Sequence, residues 1–372
     1  MSRREFDHGL IVGKFYPPHA GHEYLIRTAL QFCQRVSVLV LAATSEPLPM
    51  ELRAQWLRQC FPDTHDLRVV AALDDVPVDY DDEVIWRAHV DVMRRALLDD
   101  AAAHDEPERE VDVVLSSEEY GDTLARWFGA RHVCLDRRRS LYQISARQVR
   151  RDLAGHWMDL PEPVRAGLAL RVALVGAEST GTTTLARDIR DALSARGGAW
   201  ARTEWVAEYG REYSVNLLAV ARAREPAARP QEVVWTEEDF VVIAREQNRR
   251  EDEAARRGGP VLVCDTDAMA TAIWHERYRG TRSEKVERLA DAMAPRALYL
   301  LTDHQDVPFE DDGLRDGEHV RGWMNARFAD VLRAGRTPWH LVSGPPEERL
   351  RVALRCIDDA MRARWPFAEQ QN

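Results

Sequence analysis

No stretch of this sequence is apolar for long enough to cross a membrane, and the first apolar run, residues 10–12, is far too short for the core of a signal peptide. Cysteine is sparse. Cys33, Cys60, Cys134, Cys264 and Cys356 are odd in number, far apart and without a Cys-x-x-Cys pair. That excludes a regular disulfide framework or zinc knuckle and fits a reducing compartment. Basic charge is in deficit: 51 Lys and Arg face 62 Asp and Glu, for a net charge of −11. A general nucleic-acid binder needs a basic face, so only local basic patches for phosphates remain. Internal repeats and low-complexity tracts are absent. These absences predict a cytoplasmic chain that binds neither DNA nor membrane. Its expected partners are small molecules, and a homo-oligomer is the one macromolecular association left room for.

The 372 residues exceed one typical core and predict two domains. Two short apolar runs end in glycine, Gly9-Leu10-Ile11-Val12-Gly13 and Arg171-Val172-Ala173-Leu174-Val175-Gly176, and each leads into a helix-like stretch. That is the pattern of a βα unit in a parallel sheet. Further strands are expected at 36–43, 67–71, 111–115 and 132–135, then at 261–264, 297–301 and 339–342, with helices such as 23–33 and 83–98 between them. The fold class is therefore α/β, with two Rossmann-like parallel-sheet domains. The Pro-containing segment 159–163 is the linker, giving domains 1–168 and 169–372. Six carboxylates between Asp74 and Glu83 read first as a solvated loop, with a role near a substrate pocket as the minority reading.

After the first strand comes Gly13-Lys14-Phe15-Tyr16-Pro17-Pro18-His19-Ala20-Gly21-His22. A helix starting near Gly21 offers free amides and a positive dipole end, which suits an anion. His19 and His22 fall near that end, Lys14 adds a cation, and Gly21 lets a phosphate approach the backbone. Attack on the α-phosphate of ATP by another phosphate needs alignment and charge neutralisation rather than a general base. Downstream, Ile144-Ser145-Ala146-Arg147-Gln148-Val149-Arg150 supplies a capping serine, Ser145, and a phosphate-reaching arginine, Arg150.

A second phosphate motif follows residue 175. Gly176, Ser179, Thr180, Gly181, Thr182, Thr183 and Thr184 fit the Walker A spacing, with Thr183 as the hydroxyl for Mg²⁺, but Thr182 stands where the pattern has lysine. Asp265 and Asp267 end an apolar strand, a Walker B-like position for the metal.

With both motifs in place, the chain resembles the NadR-type bifunctional proteins, which join a nicotinamide mononucleotide adenylyltransferase to a ribosylnicotinamide kinase. The resemblance implies an N-terminal nucleotidylyltransferase domain and a C-terminal P-loop kinase-like domain. It implies ATP as co-substrate, Mg²⁺ as cofactor, and nicotinamide mononucleotide and ribosylnicotinamide as substrates. His19, His22, Lys14 and Arg150 would act on the ATP phosphates, with Gly13, Phe15, Tyr16, Gly21 and Ser145 completing that site. Trp86 would stack on the pyridine ring, with a core tryptophan as the alternative. Ser116 to Tyr120 would form a substrate loop. In the second domain Glu208 would position the substrate hydroxyl, Arg211 would lie near the nucleoside, and Arg315, in a lid-like Asp312-Gly313-Leu314-Arg315, would reach the phosphates, as would Arg321. Some relatives carry an N-terminal helix-turn-helix; only eight residues precede the first strand here, so a repressor role is not expected. Two alternatives stand: a transferase whose C-terminal domain is a nucleotide-binding regulatory module, and a transferase for another acceptor, which the second domain's motifs disfavour.

Overall fold

The computed structural model describes residues 4–79, 81–138 and 140–365. The chain divides into two compact units between Val164 and Arg165.

In the first unit five strands pair in parallel: β1 (Phe6–Gly13), β2 (Cys33–Ala42), β3 (Leu67–Leu73), β4 (Val113–Ser116) and β5 (Arg131–Cys134), in the order β3-β2-β1-β4-β5. The connecting helices are α1 (Ala20–Phe32), α2 (Met50–Cys60), α3 (Glu83–Ala103) and α4 (Tyr120–Phe128), followed by the short α5 (Ala146–Arg151). Successive strand residues point to opposite faces. Ile11, Val38, Val40, Val113 and Leu115 pack with α1 and α2, while Leu10, Leu39, Leu41 and Val114 pack with α3 and α4. Each such side chain, taken fully out of water, contributes roughly 1.5–3 kcal/mol. That is why these strands read as continuous apolar runs. Asp82 starts α3 by accepting the amides of Val84 at 2.7 Å and Ile85 at 3.3 Å. Such a cap is worth about 1 kcal/mol.

α6 (Glu162–Leu168) straddles the division. The second unit contains β6 (Leu170–Val175), β7 (Glu204–Val206), β8 (Val261–Asp265), β9 (Leu298–Thr302) and β10 (Trp339–Val342). They are also wholly parallel, in the order β10-β9-β6-β8-β7. The helices are α7 (Thr182–Ser194), α8 (Tyr209–Arg224), α9 (Glu237–Arg257), α10 (Ala268–Arg279), α11 (Glu284–Asp291), α12 (Arg321–Ala334) and α13 (Pro346–Arg364). All six residues of β6 are buried, as a central parallel strand requires. In both sheets the first strand lies at or beside the place where strand order reverses, and its carboxyl end opens into a cavity, the general location of ligand sites in open α/β sheets. β7 was not anticipated from sequence: it is three residues long, begins with Glu204, and has no apolar run to mark it.

Candidate active sites

In the first unit the chain leaves β1 through Lys14 and enters α1 at Ala20. His19 is the N-cap: its Nδ1 accepts the Gly21 amide at 3.2 Å, and His22 Nδ1 accepts the His19 amide at 3.2 Å. The two rings stack with centroids 3.7 Å apart. A nitrogen that accepts carries no hydrogen, so each neutral imidazole bears its proton on Nε2. The cap therefore fixes both tautomers as it starts the helix.

The loop stands between two adjoining cavities. One is basic and is lined by His19, Gly21, Ser145, Arg147 and Arg150. The other, about 610 Å³, is lined by Gly13, Phe15, Trp86 and Ser116. Lys14, His22, Ser117 and Glu118 face both. Ser145 caps α5, accepting the Gln148 amide at 3.3 Å. Arg150 reaches back to the Tyr16 carbonyl at 2.7 Å and lies over the Tyr16 ring, 4.9 Å from its centroid. Lys14 Nζ pairs with Glu46 at 2.9 Å and remains largely exposed.

Two expectations for this unit need correction. Tyr16 lines neither cavity; it is buried between Arg53 and Arg150 and holds Arg150 in place. The acidic segment is not a free solvated loop but lies at the cavity, as its minority reading had it. Asp74, Asp75 and Asp79 line the larger cavity, Asp75 accepts the Thr44 amide at 2.7 Å, and Asp74 accepts from His89 Nδ1 at 2.6 Å. Trp86 packs in the α3 core, its alternative reading, and also forms cavity wall. Sequence reasoning missed Arg53 altogether. It is fully buried, pairs with Glu46 at 2.7 Å, and donates to the Lys14 carbonyl at 3.1 Å, which ties the loop to α2. An arginine inside a helix carries no signal of burial in one sequence.

In the second unit the loop from Gly176 to Gly181 joins β6 to α7. Ser179 and Gly181 adopt positive φ, 59° and 83°. Such turns aim successive amides at one point, a nest for phosphate. The loop runs between two cavities. One contains Glu178, Glu208, Arg211, Asp265, Trp235 and Tyr278; the other contains Asp188, Asp303, Gln305, Gly344 and Arg349. Ser179, Thr182, Thr183 and Arg315 line both, and Thr184 lines the second. Thr183 donates to Asp265 Oδ2 at 2.6 Å. Burial pushes the Asp265 carboxyl up to about 6, against the pull of that hydroxyl. Burial, then repulsion from Asp265, pushes Glu208 up to about 8, against the pull of Arg211 and Arg315. Arg315 donates to Ser179 Oγ at 3.3 Å and to the Glu310 carbonyl at 2.9 Å, and so lies over the loop. Arg211 is paired with Asp312.

Asp267 is not placed for metal. It is fully buried, caps α10 through the Ala270 amide at 2.9 Å, and accepts from Tyr299 Oη at 2.7 Å and Arg296 Nε at 3.2 Å. Its oxygens are committed to the core. Arg321 likewise reaches no phosphate position, because it donates to the carbonyls of Val307 at 2.9 Å, His304 at 3.2 Å and Ser179 at 3.3 Å. The Thr180 hydroxyl turns inward to the Ala177 carbonyl at 2.8 Å and Thr302 Oγ1 at 2.6 Å, leaving only its backbone to the loop. The sequence reading also missed the aromatic wall of Trp235, Phe240, Trp274 and Tyr278, and Arg277, which pairs with Glu178 at 2.8 Å and with Asp316. The aromatics come from α9, α10 and the loop before α9, and converge only in the fold.

The family described as AAA domain matches residues 171–349. The trifunctional NAD biosynthesis/regulator protein NadR of Escherichia coli is 25% identical over 323 residues, covering 82% of this chain and 71% of that protein. Its counterpart in Salmonella typhimurium is 25% identical over 332 residues, covering 84% and 72%. Two solved structures share the fold at a TM-score of 0.59. A NadR protein in complex with NR is 19% identical, with 95% of this chain and 96% of that chain covered. A NadR protein in complex with NAD and AMP-PNP is 20% identical, with 96% and 98% covered. Over most of its length the chain is a homologue of the NadR proteins.

Proposed function

We propose that the chain is an enzyme of NAD biosynthesis with two activities. Its N-terminal unit transfers AMP from ATP to nicotinamide mononucleotide, giving NAD and pyrophosphate. The observation that carries this reading is the meeting of the histidine loop and the Ser145–Arg150 helix at one basic cavity, next to a second cavity walled by Trp86 and carboxylates. The phosphate of the mononucleotide attacks the α-phosphate of ATP, a P–O bond forms, and pyrophosphate leaves. The nucleophile is already ionised, so the protein's work is alignment and neutralisation. His19 and His22 donate through Nε2, while Lys14 and Arg150 supply fixed charge. The carboxylates at 74–79 suit a cationic pyridine ring, and Trp86 offers it an apolar wall.

The C-terminal unit phosphorylates ribosylnicotinamide on its 5′ hydroxyl. ATP occupies the cavity beside Asp303 and Arg349, and the nucleoside occupies the aromatic cavity. The phosphate loop between them holds the transferred group. Glu208 takes the hydroxyl proton, and Arg315 supplies the charge that the Walker lysine would carry. The Thr183 hydroxyl and the Asp265 carboxylate are the hard oxygen donors that Mg²⁺ takes beside phosphates, and these two residues would hold it. Bound there, Mg²⁺ neutralises charge on the phosphoryl oxygens.

The names of the relatives, NAD biosynthesis proteins, support this reading. The test is a pyrophosphate-release assay with ATP and nicotinamide mononucleotide, and an ADP-release assay with ATP and ribosylnicotinamide, on one preparation. A second reading makes the C-terminal unit a regulatory nucleotide-binding module, and Thr182 at the lysine position favours it. ATP binding without ADP release would select that reading.

A further inference from the structure

Arg277, on α10, lines neither cavity beside the phosphate loop, yet its side chain is only 7% exposed. Its guanidinium lies over the rings of Tyr278, 4.4 Å from the centroid, and Trp274, 5.1 Å, two walls of the aromatic cavity. One terminal nitrogen donates to Glu178 Oε1 at 2.8 Å and to Tyr278 Oη at 3.0 Å, and the other pairs with Asp316. Glu178 belongs to the phosphate loop, and its Oε2 accepts the amides of Gly317 at 2.8 Å and Asp316 at 3.2 Å. Gly317 permits the close approach, since a Cβ there would stand 2.6 Å from Arg277 Nη2 and 2.8 Å from Glu178 Oε2.

These bonds fix the chain directly after Arg315. The chain before it is held by the next residue of the phosphate loop: Ser179 Oγ accepts the Glu310 amide at 2.8 Å and Arg315 Nη1 at 3.3 Å. Two consecutive loop residues, Glu178 and Ser179, therefore grip the Arg315 segment on either side. Both Glu178 oxygens are spent on that grip, so this carboxylate is a tether and not a base. A lysine at 277 could balance the charges of Glu178 and Asp316 but could not bridge them. A planar fork reaches two carboxylates at once and stacks on rings, whereas an ammonium is a point charge.

We infer that Arg277 is a positioning residue: seated on the wall of the aromatic cavity, it joins Glu178 and Asp316 in a latch that sets Arg315 over the phosphate loop. The inference rests on the kinase reading of that loop. Arg277 acts on phosphoryl transfer through Arg315 alone, and the latch ties the cation to the same aromatic side chains that wall the nucleoside cavity.

The test measures ribosylnicotinamide phosphorylation by the intact chain carrying Arg277→Lys or Gly317→Ala, each alone and combined with Arg315→Ala. Each single variant should lower kcat by about one to two decades, within what a displacement of about 1 Å costs, with NAD formation unchanged. In the Arg315→Ala background the same changes should cost less than about threefold, because the group they place is gone. The full cost in that background would mean that the latch only stabilises the unit, and overturns the inference. Wild-type kcat in either single variant overturns it as well. Hydrogen exchange at the Asp316 and Gly317 amides reads the latch without the reaction. Both should exchange slowly in the wild type and about tenfold faster or more in Arg277→Lys. If the wild type phosphorylates no ribosylnicotinamide, that pattern of exchange upholds the latch and sinks the kinase reading alone. Equal exchange in the two proteins overturns the latch whatever the activity.

Discussion

On the reading proposed above, the anion site of the N-terminal unit is made of side chains and that of the C-terminal unit of backbone. His19 and His22 spend their Nδ1 atoms capping α1 and keep Nε2–H as donor. The loop after β6 instead bends its main chain through positive φ at Ser179 and Gly181. The two sites also differ in how they obtain fixed positive charge. Of 51 basic residues only Lys14 and Lys285 are lysines, and Lys14 sits at the histidine loop. The phosphate loop has Thr182 where a lysine would stand, and the cation lying over it is Arg315, from a segment more than a hundred residues away. A site whose donors are sequential neighbours is set by local geometry. A site that borrows its cation from a distant segment depends on that segment's position.

The largest effects should come from separating the two sites. His22→Ala should cut NAD formation by about two to three decades, the range for losing one preorganised donor, with ADP release intact. Asp265→Ala should produce the mirror image, removing ADP release and sparing NAD formation. Pyrophosphate and ADP assays on each purified variant check both, and wild-type NAD turnover in a folded His22→Ala protein would remove the histidine loop from the mechanism. Arg315→Ala is expected to cost the kinase about two to four decades, comparable with loss of an arginine that neutralises a transferring phosphoryl group, again with no effect on NAD formation.

Glu208 sharpens the contrast through pH. On the proposed mechanism AMP transfer needs no base, whereas phosphorylation needs Glu208 ionised. With its carboxyl pushed up to about 8, kinase kcat/KM should climb with pH toward about 8 while NAD formation follows no such limb. The same group acts on stability. Its folded-state value lies above the ordinary 4.5, so the unfolded chain loses this proton first, and the site withdraws stability as pH rises from about 4.5 through about 8. Glu208→Gln removes that charge, so it should abolish phosphorylation yet raise the melting temperature of the C-terminal unit by a few degrees at neutral pH. A variant that melts lower at pH 8 than the wild type would show that the carboxylate is stabilised in the fold.

Much of this architecture was legible in the residues because parallel strands buried on both faces read as apolar runs, and because both loops keep their donors close in sequence. The parts that were not legible depend on distant partners. Asp265 and Asp267 look equivalent at the end of β8, but Arg296 and Tyr299 claim Asp267 for the core, and only Asp265 faces the loop. Arg315 and Arg321 look equally able to reach a phosphate, yet three backbone carbonyls hold Arg321. The carboxylates at 74–79 read as solvent-facing until His89, fifteen residues on, turns back to meet Asp74. A single sequence shows neighbours along the chain, and these assignments are made by neighbours across it.

The smallest expected change tests the comparison most closely. Thr182 lines both cavities of the second unit, as Arg315 does. If Arg315 supplies the missing charge, Thr182→Lys places a second cation beside the first, where Arg211 already adds a like charge. Kinase kcat/KM should then change by less than about threefold, within what a partly exposed charge contributes. In the Arg315→Ala background the same lysine has the anionic site to itself and should restore a decade or more. Two residues serving one charge give a non-additive cycle of this kind, with coupling of about 1–3 kcal/mol. If Thr182→Lys instead raises activity by decades in the otherwise wild-type chain, the C-terminal unit lacks that charge. Arg315 is then a loop residue, and the regulatory-module reading gains the ground that the kinase loses.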